Sequence, residues 1–290
     1  MPTSLIRAAA IFVLAFGLSM PAAATHSWAN YHWARQSNPL PLNLGDNLSA
    51  AWAPSFMDAS LDWNYASVLE AKIVAGATNA KRCGGNNGRV EVCNSAYGNN
   101  GWLGIAQIWV SAGHIVQGVV KLNDTYFDAP PYDTPEWRAL VMCQEVGHVF
   151  GLGHQDENFS NANLGSCMDY TNEPASNQHP NSHDYALLGE IYAHLDSYDS
   201  FVDSSAEEPP ISDGPADECR GGPRKCGSGA RGVAPSILDL VLSEPGQWGR
   251  LLAESSDGRR GVYELDLGDG HRVITHVFWI ESRQRHSHDH

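Results

Sequence analysis

Apolar positions fall into two patterns along the chain. Runs of strand length, rich in branched and aromatic residues, occupy 68–75, 88–93, 102–110 and 114–122, each bounded by Gly, Asn or Ser clusters. Strands are predicted there. The cluster 84–88 reads as the turn between the first pair and 111–113 as the turn between the second, while Leu42-Asn43-Leu44 reads as a short edge strand. Helical signals are separate. The segment 48–65 carries tryptophans and small residues that suit a first helix. Thr134-Pro135-Glu136 then supplies an N-cap, a first-position proline and a first-turn acid. That second helix runs through Trp137, Leu140 and Val141 and is expected to end near Gly151. A last helix follows from Tyr185, Leu187, Leu188, Ile191, Tyr192 and Leu195, capped by Asn181 or Ser182.

The two ends differ from this middle. Arg7, an apolar run over 8–18 and Pro21-Ala22-Ala23-Ala24 form the three-part pattern of a secretory signal peptide, expected over 1–24. A folded domain is expected over 25–202 and a Pro/Gly/Ser-rich linker over 203–236. The extension 237–290 contains a hairpin, 261–267 and 271–279 around Gly268-Asp269-Gly270, and ends in His286, His288 and His290. That tail reads as disordered or as an adventitious metal binder.

Export changes the meaning of the cysteines. No C-x-x-C zinc spacing occurs, and an oxidising compartment favours bridges. Pairing in chain order gives Cys83 with Cys93, Cys143 with Cys167 and Cys219 with Cys226, although sequence alone does not fix connectivity. The formal charge of -15 argues against nucleic acid and anionic membrane as partners and is accounted for by solubility.

The chemistry concentrates in Cys143-Gln144-Glu145-Val146-Gly147-His148-Val149-Phe150-Gly151-Leu152-Gly153-His154. Residues four apart share a helix face, so Gln144 and His148 point to one spot with Glu145 beside it. His154 joins them only if the helix stops first, and Gly151 tolerates the left-handed conformation that ends helices.

This segment resembles the H-E-x-x-H-x-x-G-x-x-H helix of the metzincin zinc metalloproteases, within them the matrixin and astacin-like branches. It matches at Glu145, His148, Gly151 and His154. Ser166-Cys167-Met168-Asp169-Tyr170 resembles the family's methionine turn. The resemblance covers roughly 30–200 and implies an α+β fold: a twisted mixed sheet, an active-site helix, a methionine turn and a terminal helix. It implies His148 and His154 as zinc ligands, Glu145 as general base and proton shuttle, Met168 as the apolar floor and Tyr170 as a zinc or oxyanion contact. The activity implied is a secreted, monomeric zinc endopeptidase using a zinc-activated water and one catalytic ion. Its partner is a protein or peptide substrate, laid as an extended strand on the edge offered by 102–110.

Gln144 departs from the pattern by replacing the first ligand histidine. Three readings stand: an unusual amide-oxygen ligand, a site completed by another group or water, and an exported peptide-binding module without chemistry. Cys143 is turned about 100° from the metal face and is better used in a bridge to Cys167. A separate adhesive role for the extension is a further alternative.

Other candidates have plainer readings. His114 is a half-buried strand histidine, and His179 and His183 belong to caps or solvent. Arg82-Cys83-Gly84 belongs to a disulfide rather than an inhibitory switch. Asp124, Asp128 and Asp133 match no calcium loop, so calcium is without support.

Overall fold

The computed structural model describes residues 27–28, 30–201 and 240–281. The expected signal segment, the linker with Cys219 and Cys226, and the histidine tail lie outside the described residues. Strand β1 (His32–Trp33) and β2 (Leu40–Asn47) lead into helix α1 (Ala53–Trp63) and β3 (Leu69–Ala75). Next come β4 (Arg89–Ser95), β5 (Trp102–Ser111), β6 (His114–Asn123), the single turn α2 (Asp124–Phe127), α3 (Pro135–Val149) and α4 (Ser182–Ile191). The carboxy-terminal part contributes β7 (Arg250–Glu254), β8 (Arg260–Gly268) and β9 (His271–Trp279).

The described strands form one mixed α+β sheet in the order β3-β2-β4-β6-β5-β9-β8-β7, with β1 pairing β6. The β2, β3, β4 and β6 half is parallel; from β5 onward the pairing is antiparallel. Two expectations change here. Leu42-Asn43-Leu44 belongs to an eight-residue strand between β3 and β4, not to an edge. β3 and β4 are not a hairpin around 84–88, because both run parallel to β2 on opposite sides of it and need a long connection. Buried Glu91 fastens that connection, accepting hydrogen bonds from Asn47 Nδ2 (2.6 Å), Asn86 Nδ2 (3.0 Å) and the Ala77 amide (3.2 Å).

The β8–β9 hairpin forms as expected, but it does not stand apart. β9 continues the sheet by pairing along β5 from Trp102 to Val110. The edge expected to receive a peptide is therefore covered by the chain's own strand, which satisfies the backbone groups a substrate would have used.

Both faces of β5 are buried for different reasons. Ala106 and Ile108 pack toward α1 and α3 with Ile274 and Phe278 of β9. Ile105 and Trp109 face the other way and are roofed by Leu242 and Trp248, with Val273 and Val277 of β9 beside them. Gln107 and Lys121 tie that roof down: Gln107 Nε2 donates to the Leu242 carbonyl at 3.0 Å, and Lys121 Nζ to Ser243 Oγ at 2.9 Å. Disulfides join Cys83 to Cys93 and Cys143 to Cys167.

Candidate metal centre

The helix that carries the motif begins as its sequence predicts. Thr134 accepts a hydrogen bond from the Trp137 amide (3.3 Å), with Pro135 in the first turn. It ends at Val149 and turns at Gly151, whose φ of 96° is open to glycine. A Cβ at Gly151 would also lie 2.5 Å from the Tyr31 carbonyl oxygen. This stop turns the chain back so that His154 meets His148, with 3.1 Å between their Nε2 atoms.

The third imidazole lies outside the motif. His276, on β9 opposite Ala106, shares the helix-facing side of the sheet with Ile274 and Phe278. Its ring lies 3.8 Å from that of His148 and 4.4 Å from that of His154, centroid to centroid. Ligand atoms of all three histidines fall within 4.8 Å of one another. The signal in the sequence was one imidazole at the centre of the apolar face of 271–279, between Ile274 and Phe278.

Tautomers follow from the hydrogen bonds. His148 Nδ1 lies 2.8 Å from the Leu152 carbonyl, which only accepts, so Nδ1 carries the proton and Nε2 presents a lone pair. Burial lowers the proton affinity of His148 to a pKa of about 3, with the Leu152 bond opposing and Arg260 assisting. Burial, then His148 and Arg260, push His276 well below the usual histidine range. Neither ring nitrogen of His276 has a hydrogen-bond partner. The Nε2 lone pair of His148, the neighbouring Nε2 of His154 and the orphaned buried ring of His276 together fit a borderline divalent cation such as zinc.

Gln144 does something else. Its Nε2 donates to the Cys167 carbonyl at 2.6 Å, so the amide braces α3 against the Ser166–Tyr170 segment beside the Cys143–Cys167 disulfide. Its Oε1 is buried without a partner. Met168 packs beneath the helix at Gly147, where an added Cβ would meet its sulfur at 2.7 Å and Trp63 at 2.6 Å. Ser166 Oγ holds the turn, accepting from the Met168 amide (2.9 Å) and donating to Asp184 (2.6 Å) in the capping box of α4. Tyr170 stands beside His154, ring centroids 4.3 Å apart. Burial raises its phenol well above the ordinary value.

Glu145 is fully buried and neither carboxylate oxygen has a hydrogen-bond partner. β5 passes so close that a Cβ on Gly104 would lie 2.7 Å from Glu145 Oε1. Burial raises the proton affinity of Glu145, and the nearby Arg260 guanidinium opposes the shift. Arg260, brought in by β8, lies over the rings of Phe278 and Tyr170. Trp28 from the amino-terminal segment stacks on both His148 and His276 (5.2 and 5.6 Å). A cleft of about 360 Å³ reaches His154 and His276 between Trp28, Tyr31, Leu252 and Val262.

The remaining candidates sit elsewhere. His179 pairs with Asp62 at 2.7 Å, and the His183 amide belongs to the Asn181 cap. Asp124 accepts from Trp52 Nε1 at 2.8 Å, and Asp128 lies 3.5 Å from Arg138, so these acids serve packing and surface pairing. His114 is not solitary: it faces His32 and Asp196.

No family model matches the sequence, and no curated protein matches it. Among solved structures the chain is similar to high choriolytic enzyme 1, a hatching enzyme zinc-protease from Oryzias latipes, the medaka fish. The TM-score there is 0.31 at 9% identity, covering 57% of this chain and 96% of that one. It is also similar to myroilysin, with a TM-score of 0.29 at 13% identity, covering 59% of this chain and 87% of that one.

Proposed function

We propose that this chain is a zinc-dependent peptidase of metzincin-like design whose ion is held by His148, His154 and His276. The observation that carries the reading is the convergence of three buried imidazoles beside a buried glutamate on one helix. A zinc ion bound there supplies Lewis acidity toward a carbonyl and acidifies water.

The chain's own residues supply the rest. Glu145 takes a proton from water and delivers it to the leaving amine, a task suited to a carboxylate whose proton affinity burial has raised. Burial raises the Tyr170 phenol above its ordinary value, which suits it to donate a hydrogen bond to a developing oxyanion. Arg260 adds positive charge beside Glu145 and steadies its ionised form. Substrate enters through the cleft lined by Trp28, Tyr31, Leu252 and Val262, because β9 holds the neighbouring edge of β5. The amino-terminal pattern and the two disulfides support an exported enzyme, and among the described residues no helix is long and apolar enough to cross a membrane.

A second reading has its own observation. β9 lies on the edge where a peptide strand would add, which favours an exported binding module in which the hairpin has closed the cleft. Hydrolysis of a quenched fluorescent peptide library separates the two. The peptidase reading expects chelator-sensitive turnover that falls at least about 100-fold in Glu145→Gln while zinc is retained. Zinc-loaded protein without turnover, or turnover indifferent to Glu145→Gln, overturns it.

A further inference from the structure

We infer that the chain holds a second divalent cation, of the zinc class, at His32, His114 and Asp196, with His194 as an exposed fourth donor. The residues come from three places. His32 and His114 are register partners where β1 meets β6, and His194 and Asp196 follow α4. Asp196 is held by two backbone bonds with Arg35: its Oδ2 accepts from the Arg35 amide (2.8 Å), and its own amide donates to the Arg35 carbonyl (2.7 Å). That leaves Oδ1 for the imidazoles.

Three Nε2 atoms converge on this carboxylate. His194 Nε2 lies 3.1 Å from Oδ1, His114 Nε2 3.4 Å from Oδ1, and His32 Nε2 3.5 Å from both oxygens. Ligands at 2.0–2.1 Å on a tetrahedral zinc stand about 3.3 Å apart, close to these nitrogen–oxygen separations, and ligand atoms of His32, His114 and Asp196 all lie within 4.8 Å of one another.

The ring contacts fix the orientation of two of the donors. His32 Nδ1 lies 2.8 Å from the Asn30 carbonyl, which only accepts, so Nδ1 is committed there and Nε2 is the ring nitrogen that faces Asp196. A divalent cation between His32 Nε2 and the carboxylate would be held by both. The Nδ1 bond to a backbone carbonyl is also the outer contact that orients metal-binding histidines. His114 Nδ1 is buried without a hydrogen-bond partner, and its ring stacks flat on Tyr198 at 4.7 Å, which fixes its orientation. A cation here clamps the amino-terminal strand and the segment after α4 onto β6.

The test is zinc stoichiometry of the purified full chain by elemental analysis, repeated for His276→Ala and for His114→Gln. Two zinc ions per chain are expected, with one lost in each variant. Metal-free His276→Ala should take up one Co²⁺ with the visible bands of a tetrahedral site, and zinc should raise its Tm. Loss of one ion in His114→Gln but none in His276→Ala supports this site while defeating the peptidase reading. Unchanged zinc in His114→Gln, or cation-free His276→Ala that responds only to protons, overturns this one. If His114→Gln does not fold, His194→Ala substitutes for it. That change at an exposed side chain should weaken the second zinc about 10–100-fold, and unaltered affinity overturns the assignment.

Discussion

The imidazole of His276 lies 3.8 Å from that of His148, centroid to centroid, although one sits on the carboxy-terminal hairpin and the other on the motif helix. This contact exists because β9 pairs with β5 in a register that sets His276 opposite Ala106, on the helix side of the sheet. The hairpin that closes the strand edge therefore also brings the imidazole proposed as the third ligand.

Replacing that ligand tests its role. His276→Ala is expected to lower affinity at the helix site by at least about 100-fold, because two remaining imidazoles make a poor zinc site. The ring has no hydrogen-bond partner to strand, so the structural cost is the lost packing against Trp28, His148 and His154. Competition with a chromophoric chelator, read alongside the far-ultraviolet spectrum, checks both parts.

Gln144 is expected to matter for stability more than for metal. Gln144→Ala leaves the buried Cys167 carbonyl without its donor and should cost about 1–3 kcal/mol. Zinc affinity should move less than about 10-fold. Urea unfolding and metal competition on one preparation report the two effects; a large loss of zinc with intact stability would make Gln144 a ligand after all.

Gly104 passes Glu145 too closely for a side chain. In Gly104→Ala the new methyl meets Glu145 Oε1 and Val141 Cγ1, both at 2.7 Å, so the carboxylate must move. A displaced base should lower kcat by about 10–100-fold with zinc content unchanged. Steady-state kinetics with metal analysis measures this.

Acid should loosen the metal-free protein. The folded-state pKa of His148 is depressed to about 3 by burial, and that of His276 lies well below 6.5. From about pH 6.5 downward the unfolded chain binds protons that the folded chain refuses, so stability falls as pH falls. Glu145 works in the opposite sense: its raised proton affinity contributes stability at low pH that is lost as pH rises through its folded value. The urea midpoint of metal-free protein is expected to decline between pH 7 and 4, less steeply in His276→Gln.

Features with local causes were legible in the sequence. The start of α3, its stop at Gly151, the α4 cap and the β8–β9 turn each depend on a few adjacent residues. Pro41 disguised β2, since proline argues for an edge. The proline lies in a stretch flanked only by β3, and pairing with β4 begins at Asn43, so a central strand accommodates it. His276 was hidden for a different reason. Its role depends on pairing between β5 and β9, strands far apart in the chain, and no local pattern sets that register. His32, His114 and Asp196 were obscured in the same way.

The most direct measurement is an anomalous difference map at the zinc absorption edge from crystals of the zinc-loaded protein. A peak within bonding distance of His148 Nε2 and of ring nitrogens of His154 and His276 is the expected result. A peak bound by Gln144 Oε1 in place of His276, or no peak between the three imidazoles, would contradict it.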